Sequence, residues 1–178
     1  MSITIGRPAP TLAVEAWIRG TDAAAVVDVP ASDSDWTVLV FYPADFTFVC
    51  PTELHAFAEL EDDFQAAGAR VVAASTDGYW THRAWFETDP RLASVRYPVI
   101  ADTAHRLADA YGVLADDGLA LRGTFLIDPD GVVRHASVTD RSVGRRADEA
   151  LRILHALGTG ELCPVNWQRG RPTLGIAA

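Results

Sequence analysis

A chain of 178 residues is long enough to bury one sizeable core and too short for two comfortable ones, so one domain spanning residues 1–178 is expected. Hydrophobic residues make up 49% and charged residues 22%, close to globular averages, and no apolar run approaches the roughly 20 residues that span a bilayer, which excludes a disordered chain or a membrane protein. The formal net charge of -9 opposes a nucleic-acid partner, and since all 15 basic residues are arginine, a Schiff-base lysine, a P-loop lysine and a lysine general base are ruled out.

The first residues, Met1-Ser-Ile-Thr-Ile-Gly-Arg-Pro, carry neither a basic nor an apolar leader region, so the cytoplasm is the expected location. Up to about residue 35, short apolar pieces alternate with Pro8, Pro10, Gly20 and Pro30, as in an N-terminal hairpin, and Ser32-Asp-Ser-Asp35 marks a turn. Trp36 to Tyr42 is a near-continuous apolar run, the pattern of a central strand covered on both faces. From Cys50, the recurrence of Leu54, Phe57, Ala58 and Phe64 predicts a helix ending near Gly68. Arg70 to Ser75 reads as a second buried strand, Tyr79 to Thr88 as a helix stopped by Asp89-Pro90, and Arg96 to Ala101 as another strand. A short helix follows from His105 to Tyr111, then a turn at Asp116-Asp-Gly118. Leu121–Ile127 and Val132–Val138 flank the turn signal Asp128-Pro-Asp-Gly131. The last helix runs from about Gly144 to Leu157, with Ala147, Leu151, Leu154 and Leu157 on one face. After Gly158 the periodicity is lost, which predicts a mobile tail over 159–178. Strand–helix alternation followed by a hairpin specifies an α/β fold with a mixed central sheet flanked by helices.

The chemistry centres on Cys50. A strand delivers Pro43-Ala-Asp-Phe-Thr47-Phe-Val-Cys50, and Pro51 and Glu53 suit the first turn of the helix that follows. Unpaired backbone N–H groups at a helix start favour an anion, so a thiolate is stabilised there. The competing reading of any lone cysteine is a small buried hydrophobe. Cys163, the other cysteine, lies far along the chain, and the sequence has no Cys-x-x-Cys and no cluster at zinc-ligand spacing, so no metal is expected. The five histidines show no catalytic spacing and read as structural or surface residues.

The segment Phe41-Tyr-Pro43-Ala-Asp-Phe-Thr47-Phe-Val-Cys50-Pro-Thr-Glu53-Leu resembles the active-site segment of the typical two-cysteine peroxiredoxins, the group that includes the bacterial alkyl hydroperoxide reductase C subunit. Ser75-Thr-Asp-Gly-Tyr-Trp-Thr81-His-Arg-Ala-Trp85, Leu121-Arg122-Gly-Thr-Phe-Leu-Ile-Asp128 and Gly160-Glu-Leu-Cys163-Pro-Val-Asn-Trp167 resemble the same family in the same order. The resemblance implies a thioredoxin-like fold and a thiol-dependent peroxidase acting on hydrogen peroxide and alkyl hydroperoxides, with no cofactor. It makes Cys50 the peroxidatic cysteine, shielded by Pro43 and assisted by Thr47 and Arg122, with Glu53 and Arg145 orienting Arg122. By the same resemblance Cys163 of a partner subunit resolves the Cys50 sulfenic acid as a disulfide. A homodimer is therefore implied, with Thr81 and Trp85 at the contact between dimers of a decamer, although Gly78 and Tyr79 depart from the pattern there. The reductant is a thiol protein, either a flavoprotein reductase or a thioredoxin-like donor.

Two further readings belong to other classes. The same fold can serve as a peroxide sensor or ring-forming chaperone, and a thiol–disulfide oxidoreductase would carry a cysteine where this chain has Glu53. In overoxidation-sensitive relatives a Gly-Gly-Leu-Gly loop and a terminal Tyr-Phe helix cover the site. The matching loop here is Thr88-Asp-Pro-Arg-Leu-Ala-Ser-Val95, and no Tyr-Phe pair follows Cys163, so resistance to overoxidation is expected.

Overall fold

The computed structural model describes residues 3–31 and 35–176, so of the turn expected at Ser32 to Asp35 only Asp35 falls among the described residues. Seven strands form one mixed sheet: β1 (Leu12–Trp17), β2 (Ala25–Val29), β3 (Trp36–Phe41), β4 (Ala69–Ser75), β5 (Val99–Ala101), β6 (Arg122–Ile127) and β7 (Val133–Thr139). Their order is β2-β1-β5-β4-β3-β6-β7, with β3 parallel to β4 and antiparallel to β6. Among the described residues the helices are α1 (Cys50–Glu59), α2 (Glu61–Ala66), α3 (Tyr79–Thr88), α4 (Arg106–Ala110) and α5 (Ala147–Gly158), with a 3₁₀ turn at Pro90–Leu92.

Why β3 reads as a near-continuous apolar run is visible in what packs on its two faces. Val38 and Val40 point into a core that includes Leu54 and Phe57 of α1, Trp85 and Phe86 of α3 and Leu154 of α5. Leu39 and Phe41 point the other way, into a core shared with Leu107 and Ala108 of α4 and with Tyr111 and Phe125. Alternate side chains thus meet different helices, and both sets must be apolar. Each fully buried Val, Leu or Phe contributes about 1.5–3 kcal/mol, so this strand is firmly anchored and holds its C-terminal end, where the Cys50 segment begins, in place.

Three boundaries differ from the sequence expectation by more than a residue or so, each for a local reason. The helix expected from Cys50 to near Gly68 breaks at Leu60, and the change of direction lets Phe64 stack on Phe57 with centroids 6.0 Å apart and Glu61 reach Arg96 at 3.4 Å. The strand expected from Arg96 shortens to Val99–Ala101 because Pro98 has no N–H to give a ladder. The last helix begins at Ala147 rather than near Gly144, because the backbone at Arg146 is extended (φ -91°, ψ 116°), and Arg145 before it donates its N–H to Glu53 Oε1 at 2.7 Å.

Among the described residues the segment after α5 has no helix or strand, yet it is fastened. Leu162 and Leu174 each donate a backbone N–H to the other arm of the segment, at Gly175 O and Leu162 O, both at 2.8 Å, while Trp167 is 5% exposed and its carbonyl accepts from Arg152.

Candidate active site

Cys50 is the first residue of α1, with Pro51 next, and only 1% of it meets solvent. Its position follows from the chain: β3 ends at Phe41, Tyr42 still donates its N–H to Ala74 O at 2.9 Å, and the buried Pro43 turns the backbone away from the sheet. Thr47 Oγ1 donates to Ala44 O at 2.9 Å and closes that turn. Phe46 adopts a left-handed φ of 55°, uncommon for a non-glycine residue.

Arg122 enters from β6. Its Nη1 stands 3.5 Å from Cys50 Sγ and also binds Glu53 Oε2 on the next turn of α1. The rest of its guanidinium is spent on one carbonyl, Arg141 O, reached by Nε at 2.9 Å and Nη2 at 2.7 Å. Gly123 beside it is required by space, since a Cβ there would sit 2.9 Å from both Phe125 and Val113. Arg145 completes the cluster: Nε and the backbone N–H donate to Glu53 Oε1 at 2.8 and 2.7 Å, and Nη1 donates to Gly123 O at 2.6 Å.

Side-chain exposure in this cluster is 3% for Arg122, 2% for Glu53 and 7% for Arg145. Two guanidinium groups and one carboxylate leave one positive charge uncompensated, beside the sulfur. Arg122 Nη1, 3.5 Å from Sγ, is within contact distance of negative charge carried by the sulfur. The same guanidinium is placed to stabilise negative charge that develops on an oxygen attached to that sulfur.

On the other side of the Cys50 segment lies a network that sequence reasoning did not single out. Asp45 Oδ1 accepts from Tyr42 OH at 2.7 Å, and Oδ2 lies 2.7 Å from His82 Nδ1. His82 Nε2 lies 3.1 Å from Ile100 O, and the Asp45 N–H donates to Asp77 Oδ2 at 2.9 Å. Burial pushes the Asp45 carboxyl above the ordinary carboxylate range, opposed by the His82 hydrogen bond, and pushes the Tyr42 phenol well up. A signal was present in the sequence: His82 shares the helical spacing of Tyr79, Trp85 and Phe86, placing a histidine on the buried face of α3.

Cys163 stands apart from this cluster. Half-buried beyond the end of α5, its Sγ is 3.6 Å from Thr159 Oγ1 and 3.7 Å from Ala156 O, in a cavity of about 590 Å³ also lined by Arg134, Arg152 and Glu161. Both cysteines are free thiols within this chain. Of the two residues expected at a contact between dimers, Thr81 is exposed but Trp85 is 2% exposed, packed between Tyr42 and Phe46. The aromatic surface here is instead made by Phe46, Phe48 and Trp80, exposed by 60%, 90% and 72%.

Comparison with known proteins gives concordant matches. The AhpC/TSA family matches residues 5–136. A thioredoxin peroxidase of Echinococcus granulosus is 43% identical over 100% of this chain and 95% of its own length. An alkyl hydroperoxide reductase C of Mycolicibacterium smegmatis is 44% identical over 80% of this chain and 73% of its own. The reduced 2-Cys peroxiredoxin of Plasmodium vivax superposes with a TM-score of 0.88 at 34% identity, covering 94% of this chain and 91% of that one.

Proposed function

Because the chain belongs to the AhpC/TSA family of peroxiredoxins and is a thiol-dependent peroxidase, we propose that Cys50 is its peroxidatic cysteine and Cys163 of a partner subunit its resolving cysteine. The observation that carries this reading is the Arg122 guanidinium, held by Glu53, with Nη1 3.5 Å from a sulfur at a helix start.

The Cys50 thiolate attacks one oxygen of hydrogen peroxide or an alkyl hydroperoxide. The S–O bond forms as the O–O bond breaks, and hydroxide or alkoxide leaves and takes a proton from water. Negative charge moves along the S–O–O line, so donors aimed at the oxygens stabilise the transition state more than the ground state. Arg122 supplies the fixed cation, Thr47 orients the peroxide, Pro43 keeps bulk water from the thiolate, and Glu53 with Arg145 holds Arg122 in place. The product is a Cys50 sulfenic acid. Attack by the partner's Cys163 releases water and leaves a disulfide, which an external dithiol protein, a flavoprotein reductase or thioredoxin-like donor, reduces.

The functional unit in this reading is a cytoplasmic homodimer, assembling to a decamer, with residues 159–178 delivering Cys163. Among the described residues no helix is long and apolar enough to cross a membrane. The test is peroxide consumption with a supplied thiol reductant. Cys50→Ser is expected to be inactive, and Arg122→Ala folded but slower by about 10²–10³, the usual effect of losing one positioned charge donor. Full activity in Cys50→Ser would falsify the assignment.

A further inference from the structure

No step of peroxide reduction consumes the Asp45–His82 pair, yet both side chains are completely shut off from solvent and lie 2.7 Å apart, Asp45 between Pro43 and Thr47 in the chain. Burying an ionisable pair is costly, and where its stability is not the benefit, a unique geometry is the alternative. The proton positions here follow from the acceptors. Ile100 offers a carbonyl, which only accepts, so His82 Nε2 carries a proton. Asp45 Oδ1 already accepts from Tyr42 OH, which leaves one proton shared between Asp45 Oδ2 and His82 Nδ1. Whichever atom holds it, the bridge has the same shape.

That bridge ties the turn to two strands. His82 reaches Ile100 in β5, and the Asp45 N–H reaches Asp77, whose carboxylate is held by Ser75 Oγ at 2.8 Å at the end of β4. Phe46, next in the chain, keeps a left-handed φ of 55°. A non-glycine residue holds that conformation only where its neighbours impose it. One residue further on is Thr47.

We propose that Asp45 and His82 are positioning residues for peroxide reduction: their bridge fixes the turn that carries Pro43 and Thr47, and so sets where the Thr47 hydroxyl meets the peroxide. The proposal rests on the reading of Cys50 as the peroxidatic cysteine and of Thr47 as its assistant. It separates the site into two halves. Glu53 and Arg145 hold the cation from the α1 and β6 side, and Asp45 and His82 hold the hydroxyl from the β4 and β5 side.

The test is the second-order rate of peroxide reaction, followed by stopped-flow tryptophan fluorescence, in His82→Leu, Thr47→Val and their double variant, with iodoacetamide alkylation of Cys50 alongside. His82→Leu is expected to slow the reaction by about tenfold to hundredfold, the scale of a misplacement of about 1 Å. The double variant is expected to be no slower than Thr47→Val, because two residues acting through one group do not add. Alkylation is expected to stay at the wild-type rate, since the Arg122 side is untouched. Asp45→Asn keeps both hydrogen bonds, with its amide N–H on a neutral His82 Nδ1, and is expected to retain most of the rate that Asp45→Ala loses. If His82→Leu fails to fold, Tyr42→Phe removes the hydrogen bond to Asp45 and the 3.4 Å contact with His82 Nδ1, and a few-fold loss that does not add to Thr47→Val is expected. A wild-type rate in a thermally weakened His82→Leu or in Tyr42→Phe, or losses that multiply in the double variant, overturns the positioning role alone. A wild-type rate in Thr47→Val contradicts the active-site reading itself and takes the proposal with it.

Discussion

Glu53 is shared by two arginines, and this sharing sets what its loss does. Its Oε2 binds Arg122 Nη1, while its Oε1 accepts from both the side chain and the backbone of Arg145. Glu53→Gln leaves two buried guanidinium groups without a counter-ion, and breaking a buried ion pair in this way typically costs about 3–5 kcal/mol. Urea unfolding is expected to report a loss of that size. Peroxide reduction in Glu53→Gln is expected to fall as well, since Arg122 is freed to turn from the sulfur; an unchanged rate would show that Arg141 O alone orients it. At this scale the sequence was informative in a specific way. The spacing of Pro43, Thr47 and Cys50 is local and could be read directly, and Arg122, Glu53 and Arg145 followed from family resemblance. The pairing of Asp45 with His82 could not be read, because nothing local links a turn to the buried face of a helix 37 positions later.

At the scale of elements, α1 carries two opposed demands. It must be rigid to hold Cys50 beside Arg122, but the proposed resolution by Cys163 requires a thiol that is 1% exposed to emerge, and with it an unwinding of the first turn. The fastenings are identifiable. Beyond the Glu53 cluster, Tyr97 OH donates to Leu54 O at 2.7 Å, and His55 lies 3.2 Å from Ser94 Oγ in the loop expected to leave the site uncovered. That loop is itself pinned by Arg19, whose guanidinium donates to Phe86 O, Leu92 O and Val95 O at 2.6, 2.9 and 3.0 Å. Removing one such bond costs about 1 kcal/mol net. Tyr97→Phe is therefore expected to unwind α1 more readily, and at fixed peroxide mass spectrometry is expected to find more disulfide and less Cys50 sulfinic acid than in wild type. More sulfinic acid would mean that the released helix exposes the sulfenic acid to peroxide faster than to Cys163. Strand and helix identities were legible from periodicity, whereas the break at Leu60 and the late start of α5 were not. Both are set by tertiary partners, Phe57 and Arg96 in one case and Glu53 in the other.

At the scale of the whole molecule, the chain places one thiol at the start of α1 and a second beyond α5, with no bond between them. If the partner's Cys163 resolves the sulfenic acid, peroxide-treated protein runs as a covalent dimer on a non-reducing denaturing gel, and Cys163→Ser abolishes that band. A monomeric oxidised band would place the disulfide within one chain. The proposed decamer is read from light scattering on reduced protein. Thr81 with the exposed Phe46, Phe48 and Trp80 is the surface available to it, whereas Trp85 belongs to the core, a distinction that aromatic content alone could not make before burial was known. All of these outcomes depend on Cys50 being the atom that takes oxygen from the peroxide. The direct measurement is a single turnover of Cys163→Ser with one equivalent of hydrogen peroxide in the presence of dimedone, a trap for sulfenic acid, followed by peptide mass spectrometry. Stoichiometric dimedone adduct on Cys50 is the result expected; peroxide consumed with Cys50 left as an unlabelled thiol would contradict the account.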